Sequence, residues 1–307
     1  MSTPIRQTMS PNDWGQLLLL GALWGGSFFF ARIAVSEIEP LTLVFYRVAI
    51  AAAALHIWLV IRGASFRPAL SNALSFLILA MLNNIIPFSL IFLGQTAIGA
   101  GLAGVLNATT PFWTVFAANI LTRDEKITPA RLIGILLGIG GTAITVGPGV
   151  LAGLGAPVWA QFCVLGASCS YALAAIFARR FRGMRSDVIA AGQFTASTAI
   201  MAVVIGFGAS AITAASPTVW ASVAALGVLS TAFGYILYFN LIGSAGATNA
   251  SLVTLVVPVW AILLGILFLG EELNAYELAG MVLIGLGLLT IDGRLFRLFR
   301  PGRENIR

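Results

Sequence analysis

The chain has 307 residues, 59% of them hydrophobic and 9% charged, where a soluble domain carries about 25% charged residues. So few charges cannot cover a water-facing surface, which excludes a soluble globular protein. The net charge of +6 brings no nucleic-acid partner with it, because the basic residues border apolar runs and form no basic module.

Ten apolar segments follow one another, each about 18–25 residues, the length of helix that crosses a hydrocarbon core of about 30 Å. After a head (1–13) with only Arg6, the first runs over 14–35 through Phe28-Phe29-Phe30 without a cleavage site, and reads as a retained span holding Trp24 and Ser27. The second (41–61) carries Arg47 and His56, the single histidine. The third (71–94) places Asn83 and Asn84 before Pro87, and the fourth (99–121) contains Asn107-Ala108-Thr109-Thr110-Pro111. The fifth (128–147) is rich in Gly and Leu, with Gly134 and Gly138 as a small face for close helix packing.

The sixth (157–178) holds Ser168, Ser170 and Tyr171. It also holds Cys163 and Cys169, which share no helix face and have no metal-ligand spacing. The seventh is 187–208. The eighth (217–241) holds Ser230, Thr231, Tyr235 and Asn240. The ninth (246–269) holds Asn249, Ser251, Thr254 and Pro258, and the tenth (275–292) is again Gly- and Leu-rich before a tail at 293–307.

Fifteen of the 17 Lys and Arg fall in alternate connections and the two ends. They are Arg6, Arg62, Arg67, Arg123, Lys126, Arg131, Arg179, Arg180, Arg182, Arg185 and the five arginines of the tail. The intervening connections have none. Positive-inside bias then puts both termini in the cytoplasm and demands an even number of spans.

An offset of 147 residues overlays the two halves. Phe30-Ala31-Arg32 falls on Phe177-Ala178-Arg179, Gly99-Ala100 on Gly246-Ala247, Pro111 and Trp113 on Pro258 and Trp260, and Asp124-Glu125 on Glu271-Glu272. Five spans per repeat is an odd number, so the second repeat (157–292) would enter the membrane inverted relative to the first (14–147). Inverted repeats supply two equivalent end states and a site near the bilayer midplane.

Gly234-Tyr235-Ile236-Leu237-Tyr238, the run Gly246 to Leu252, Pro258 and Gly270-Glu271-Glu272 resemble the EamA family of drug/metabolite transporters, as do Leu23-Trp24-Gly25, Arg47, Pro111 and Asp124-Glu125 in the first half. The resemblance implies an all-α integral membrane protein of ten transmembrane helices in two inverted five-helix repeats. It also implies export of small metabolites, often amino acids. The finer likeness is to YddG-like exporters of aromatic and related amino acids. Thr110 and Ser170 stand where that branch places larger cavity residues, which widens the expected preference to other neutral amino acids.

Polar groups inside a bilayer face the bundle interior or a water-filled cavity. The expected substrate-binding set is therefore Trp24, Asn83, Asn84, Asn107, Thr110, Ser170, Tyr171, Tyr235, Asn240 and Thr254, from spans one, three, four, six, eight and nine. Pro87, Pro111 and Pro258 are expected kinks that free backbone carbonyls. Arg47 is either a charge partner for substrate or a snorkelling residue that pairs with Glu37 or Glu39. Spans five and ten are expected to act as scaffold or a dimer face. All eleven acids lie in connections, tails or span ends, which argues against carboxylate-based proton coupling and for uniport or exchange.

No metal-ligand cluster or cofactor motif is present in the sequence. Enzyme readings fail because His56 and Ser27 lie at different depths, and the acidic pairs at 124–125 and 271–272 lie on opposite faces. No ring of charges marks a channel filter. The expected partners are a small-molecule substrate and the lipid bilayer, with no nucleic acid, in a monomer or homodimer. The expected location is the cell inner membrane. A phosphorylated or nucleotide-linked substrate is the alternative, followed by a channel or scaffold.

Overall fold

Prolines and small polar caps start the helices. Pro11, Pro40, Pro129 and Pro217 each stand in a first turn, where a missing N–H costs nothing. Ser10 and Asp13 form a reciprocal capping box ahead of the first helix, with the Ser10 amide donating to Asp13 Oδ2 at 2.8 Å. Glycines end two of them: Gly63 (φ 59°) and Gly270 (φ 64°) adopt the left-handed backbone that side chains resist.

A computed structural model describes residues 10–121, 129–152, 157–181, 183–206, 215–245 and 253–292. Fourteen α-helices are found among them: α1 (Pro11–Ala34), α2 (Pro40–Ile61), α3 (Arg67–Leu70), α4 (Ala73–Ala80), α5 (Ile86–Gln95), α6 (Ala100–Asn107), α7 (Thr110–Leu121), α8 (Pro129–Ala152), α9 (Val158–Phe177), α10 (Ser186–Gly206), α11 (Pro217–Ala224), α12 (Gly234–Ala245), α13 (Val253–Leu269) and α14 (Ala275–Asp292). No strand occurs among the described residues. Wide π turns join α4 to α5 (Met81–Ile85) and α11 to α12 (Ala225–Phe233).

Among the described residues, six stretches are long and apolar enough to cross a bilayer: Pro11–Ala34, Pro40–Ile61, Ala73–Gln95, Val158–Phe181, Ser186–Gly206 and Pro217–Tyr238. The fourth predicted span is not continuous. It breaks at Ala108–Thr109 into α6 and α7 because Pro111 lacks the N–H that would carry the helix across. Asn249, Ser251, Asp124-Glu125 and the tail arginines lie outside the described residues.

Large apolar side chains point outward along the helices, as at Val60 (81% exposed) and Ile57 (62%). A surface of this kind is solvated by lipid. Inside, α2 packs on α10, α1 on α13, and α9 on both α5 and α7, while α11, α12 and the π turn between them lie against α1. Helices α8 and α14 pack chiefly on each other. Glycines allow that approach: a Cβ at Gly141 would come within 2.7 Å of the Gly280 carbonyl.

Candidate functional site

The π turn at Met81–Ile85 has a clear cause. The Ile86 amide reaches back five residues to the Met81 carbonyl. The next bond in that series would run from residue 87 to Leu82, and Pro87 has no N–H to make it. Ser170 of α9 supplies the missing donor, with Oγ 2.7 Å from the Leu82 carbonyl. The wide turn also splays the adjacent amides of Asn83 and Asn84. Asn83 Nδ2 donates to Gln193 Oε1 (2.9 Å) and to Tyr235 Oη (3.1 Å). Asn84, fully buried, donates to Ser197 Oγ at 2.9 Å, and its own Oδ1 is buried without a partner among the described residues. One turn thereby ties α4 and α5 to α10 and α12.

The second π turn is the counterpart of the first. The 147-residue offset carries Met81–Ile85 onto Val228–Ala232, inside Ala225–Phe233. Thr231, the counterpart of Asn84, donates to the Leu226 carbonyl five residues back (2.7 Å) and accepts from Arg47 Nε at 3.0 Å. Arg47 is 6% exposed, the one cation among the side chains described as buried. Its guanidinium carbon lies 3.8 Å from the centre of the Phe88 ring and 5.6 Å from that of Phe92. Tyr171 and Tyr235 lie within electrostatic reach of it.

Glu37 does not pair with Arg47. Its carboxylate accepts from the Ser216 amide (2.6 Å) and hydroxyl (2.8 Å), capping α11. Those two bonds hold the Glu37 carboxyl below its ordinary range. Arg47 therefore points inward and does not snorkel.

Aromatic rings close the site. Trp24 of α1 lies 6.0 Å from Tyr235 and 5.2 Å from Tyr238 between ring centres, and Phe194 meets Tyr235 edge-on at 5.2 Å. Gly234 makes room for Trp24, since a Cβ there would sit 2.8 Å from the indole nitrogen.

The structure thus gathers Trp24, Asn83, Tyr171, Tyr235 and Arg47 and sets Asn84 one layer behind. The remaining predicted residues go elsewhere. The hydroxyls of Ser170 and Thr110 satisfy freed carbonyls, Thr110 donating to the Asn107 carbonyl at 2.7 Å. Ser168 Oγ adds a contact to the Leu106 carbonyl at 3.3 Å, at the same end of α6 before the Pro111 break. Asn107 keeps a buried Oδ1 without a partner among the described residues. Pro258 lies inside α13, beside the close approach of Gly104, and Thr254 is half-buried at the start of the same helix. Asn240 is exposed and lines a separate pocket with Trp58 and Arg62. His56 bonds Thr195 Oγ1 (2.9 Å) and meets Phe66 edge-on, joining α2 to α10.

Gln193 and Ser197 were missed, because span seven was not expected to contribute. Their i, i+4 spacing places them on one face of α10, and that periodicity was the available signal. The described acids sit at or near helix ends. Asp13, Asp187 and Glu277 occupy first turns, and Glu271 caps α6 through the amides of Ala100 (2.6 Å) and Gly101 (3.0 Å).

Two breaks of the same kind at one sequence offset, each holding a polar side chain inside an apolar bundle, agree with the comparison to known proteins. The EamA-like transporter family matches residues 14–147 and 158–291. The chain belongs to that family. It is a multi-pass membrane protein of a transporter family. It is similar to the uncharacterized transporter YoaV of Bacillus subtilis, 25% identical over 271 residues, covering 87% of this chain and 91% of YoaV. The uncharacterized inner membrane transporter YedA of Escherichia coli K12 is 26% identical, with 92% of each chain covered. A solved structure superposes with a TM-score of 0.68 over 95% of this EamA-like chain and 100% of its own, at 18% identity. That likeness concerns the fold alone.

Proposed function

We propose that the chain is an alternating-access exporter of small metabolites, with amino acids, aromatic and other neutral ones, as the substrate class. The observation that carries this reading is Arg47. A buried guanidinium is costly unless paired, and among the described residues Arg47 makes one side-chain hydrogen bond, through Nε, and no ion pair. Its terminal nitrogens are free to receive a substrate carboxylate. The amide of Asn83 and the rings of Trp24 and Tyr235 lie towards the same interior. A single cation suits a monoanion better than a phosphate dianion, which ranks the phosphorylated alternative second.

Ten spans in two inverted repeats, 14–147 and 157–292, fit the paired π turns and the helix contacts. The contact of α1 with α13 corresponds to that of α9 with α6 and α7, and the contact of α4 with α10 to that of α2 with the second π turn. With the tails 1–13 and 293–307 cytoplasmic and the protein in the inner membrane, Arg47 sits in the outer half of α2. The carboxylates at helix ends favour uniport or exchange. Helices α8 and α14 serve as scaffold, in a monomer or as the face of a homodimer.

The test is counterflow into proteoliposomes preloaded with the twenty amino acids. Saturable entry of labelled neutral amino acids, lowered by Arg47→Ala, is the expected result. Exchange of organic phosphates in place of every amino acid would transfer the reading to the second class.

A further inference from the structure

The end of α2, the start of α10 and the middle of α12 leave a pocket of about 320 Å³ between them. Trp58 lines it from α2 and Arg62 from the cap that ends that helix, Arg185 and Asp187 from the start of α10, and Asn240 from α12. Arg185 is forked onto Asp187, Nε to Oδ1 at 3.1 Å and Nη2 to Oδ2 at 2.7 Å, leaving Nη1 free. Arg62 has no ion pair among the described residues, and its guanidinium carbon lies 5.6 Å from the centre of the Trp58 ring. Two guanidiniums face one carboxylate, so the lining keeps an excess positive charge. Asn240 follows Tyr235 by five residues in α12, about 7.5 Å along the helix axis. The pocket therefore lies little more than one turn from the Asn83–Gln193–Tyr235 cluster.

We propose that this pocket is an anion-receiving site, which takes a carboxylate or phosphate oxygen on Arg62 with Arg185 as the second cation. Trp58 orients Arg62 by cation–π contact, and the summed charge of the two solvent-facing guanidiniums raises the local concentration of anions at the pocket. As an entry station ahead of Arg47 the site rests on the transport reading; as an anion site it does not. The same chemistry is offered by a soluble carboxylate and by an anionic lipid headgroup at the bilayer edge.

The probe is iodide, with acrylamide as the neutral control, acting on the full-length protein in phosphatidylcholine nanodiscs. Trp58 fluorescence is isolated as the difference between the wild type and Trp58→Phe. Arg62→Gln is expected to lower iodide quenching of Trp58 about twofold or more while acrylamide quenching stays unchanged, as loss of local counter-ion enrichment requires. Arg62→Lys should keep the enrichment. Protection by added L-phenylalanine assigns the site to a soluble carboxylate, and protection in discs doped with phosphatidylglycerol assigns it to a headgroup. Equal iodide quenching in the wild type and Arg62→Gln overturns the site, and enrichment that neither competitor relieves overturns its assignment to carboxylate or phosphate. Because the readout is not transport, a failed counterflow assay with intact iodide enrichment counts against the exporter reading and leaves this site standing.

Discussion

Ser170 Oγ stands 2.7 Å from the Leu82 carbonyl, in the turn where Pro87 withholds the backbone donor. A hydroxyl on one helix thus completes the hydrogen bonding of another. Ser170→Ala should leave a buried carbonyl unsatisfied and cost about 1–3 kcal/mol. Pro87→Ala restores an amide at that position, so the double variant should be less destabilised than the two single costs added together. Thermal unfolding of the four proteins in detergent gives the coupling, and strict additivity would remove the link between the two residues.

Removal of the buried cation should act on substrate affinity. Arg47→Ala is expected to raise the apparent KM in counterflow about 10- to 100-fold, the worth of one charge-assisted hydrogen bond. Arg47→Lys keeps the charge but loses the planar fork that lets Nε hold Thr231 while the terminal nitrogens face the interior, so it should fall between the two. An unchanged KM in Arg47→Ala would place the substrate elsewhere.

Close helix contact predicts two opposite outcomes for one type of substitution. A Cβ at Gly25 would come within 2.5 Å of Trp260 Cβ and 2.8 Å of the Val257 carbonyl, so Gly25→Ala must push α1 away from α13. A loss of about 1–3 kcal/mol is expected. Gly15 has nothing within 4 Å, and Gly15→Ala should be neutral or stabilising by up to about 1 kcal/mol through helix propensity. Melting temperatures of the two variants against the wild type decide the matter.

Acid should loosen the Glu37 clamp. Its carboxyl is held below its ordinary value of 4.5 by the Ser216 amide and hydroxyl. A lowered folded pKa means that the clamp's contribution is complete above 4.5 and is lost as pH falls through the lower, folded value. Hydrogen exchange at the Ser216 amide, referenced to its intrinsic rate, should show protection that disappears on acidification. In Glu37→Gln that pH dependence should vanish.

Much of this arrangement was legible in the sequence, for a physical reason. In a bilayer, prolines and amides inside apolar runs are expensive enough to mark themselves, so Pro87, Asn83, Asn84 and Arg47 stood out. The division of labour among them was not legible. Ser170 and Thr110 are polar at the right depth, but their hydroxyls go to carbonyls that the prolines free, a cost that depends on which helix lies alongside. Gln193 and Ser197 escaped notice because α10 is otherwise largely apolar, with small hydroxyls that bond their own helix carbonyls at Thr195 and Thr198, and two polar positions one turn apart give a weak signal. The choice of Arg47 between Glu37 or Glu39 and the interior was not legible either, since Ser216 claims Glu37 from far along the chain and Glu39 lies exposed at the start of α2.

Thr231 belongs to a stretch wound more loosely than an α-helix, and its hydroxyl reaches back five residues while it holds Arg47. If that stretch tightened by one residue, Thr231 would swing about 100° around the helix axis and take its oxygen away from Nε. The direction in which the buried charge points is therefore geared to the pitch of a neighbouring helix.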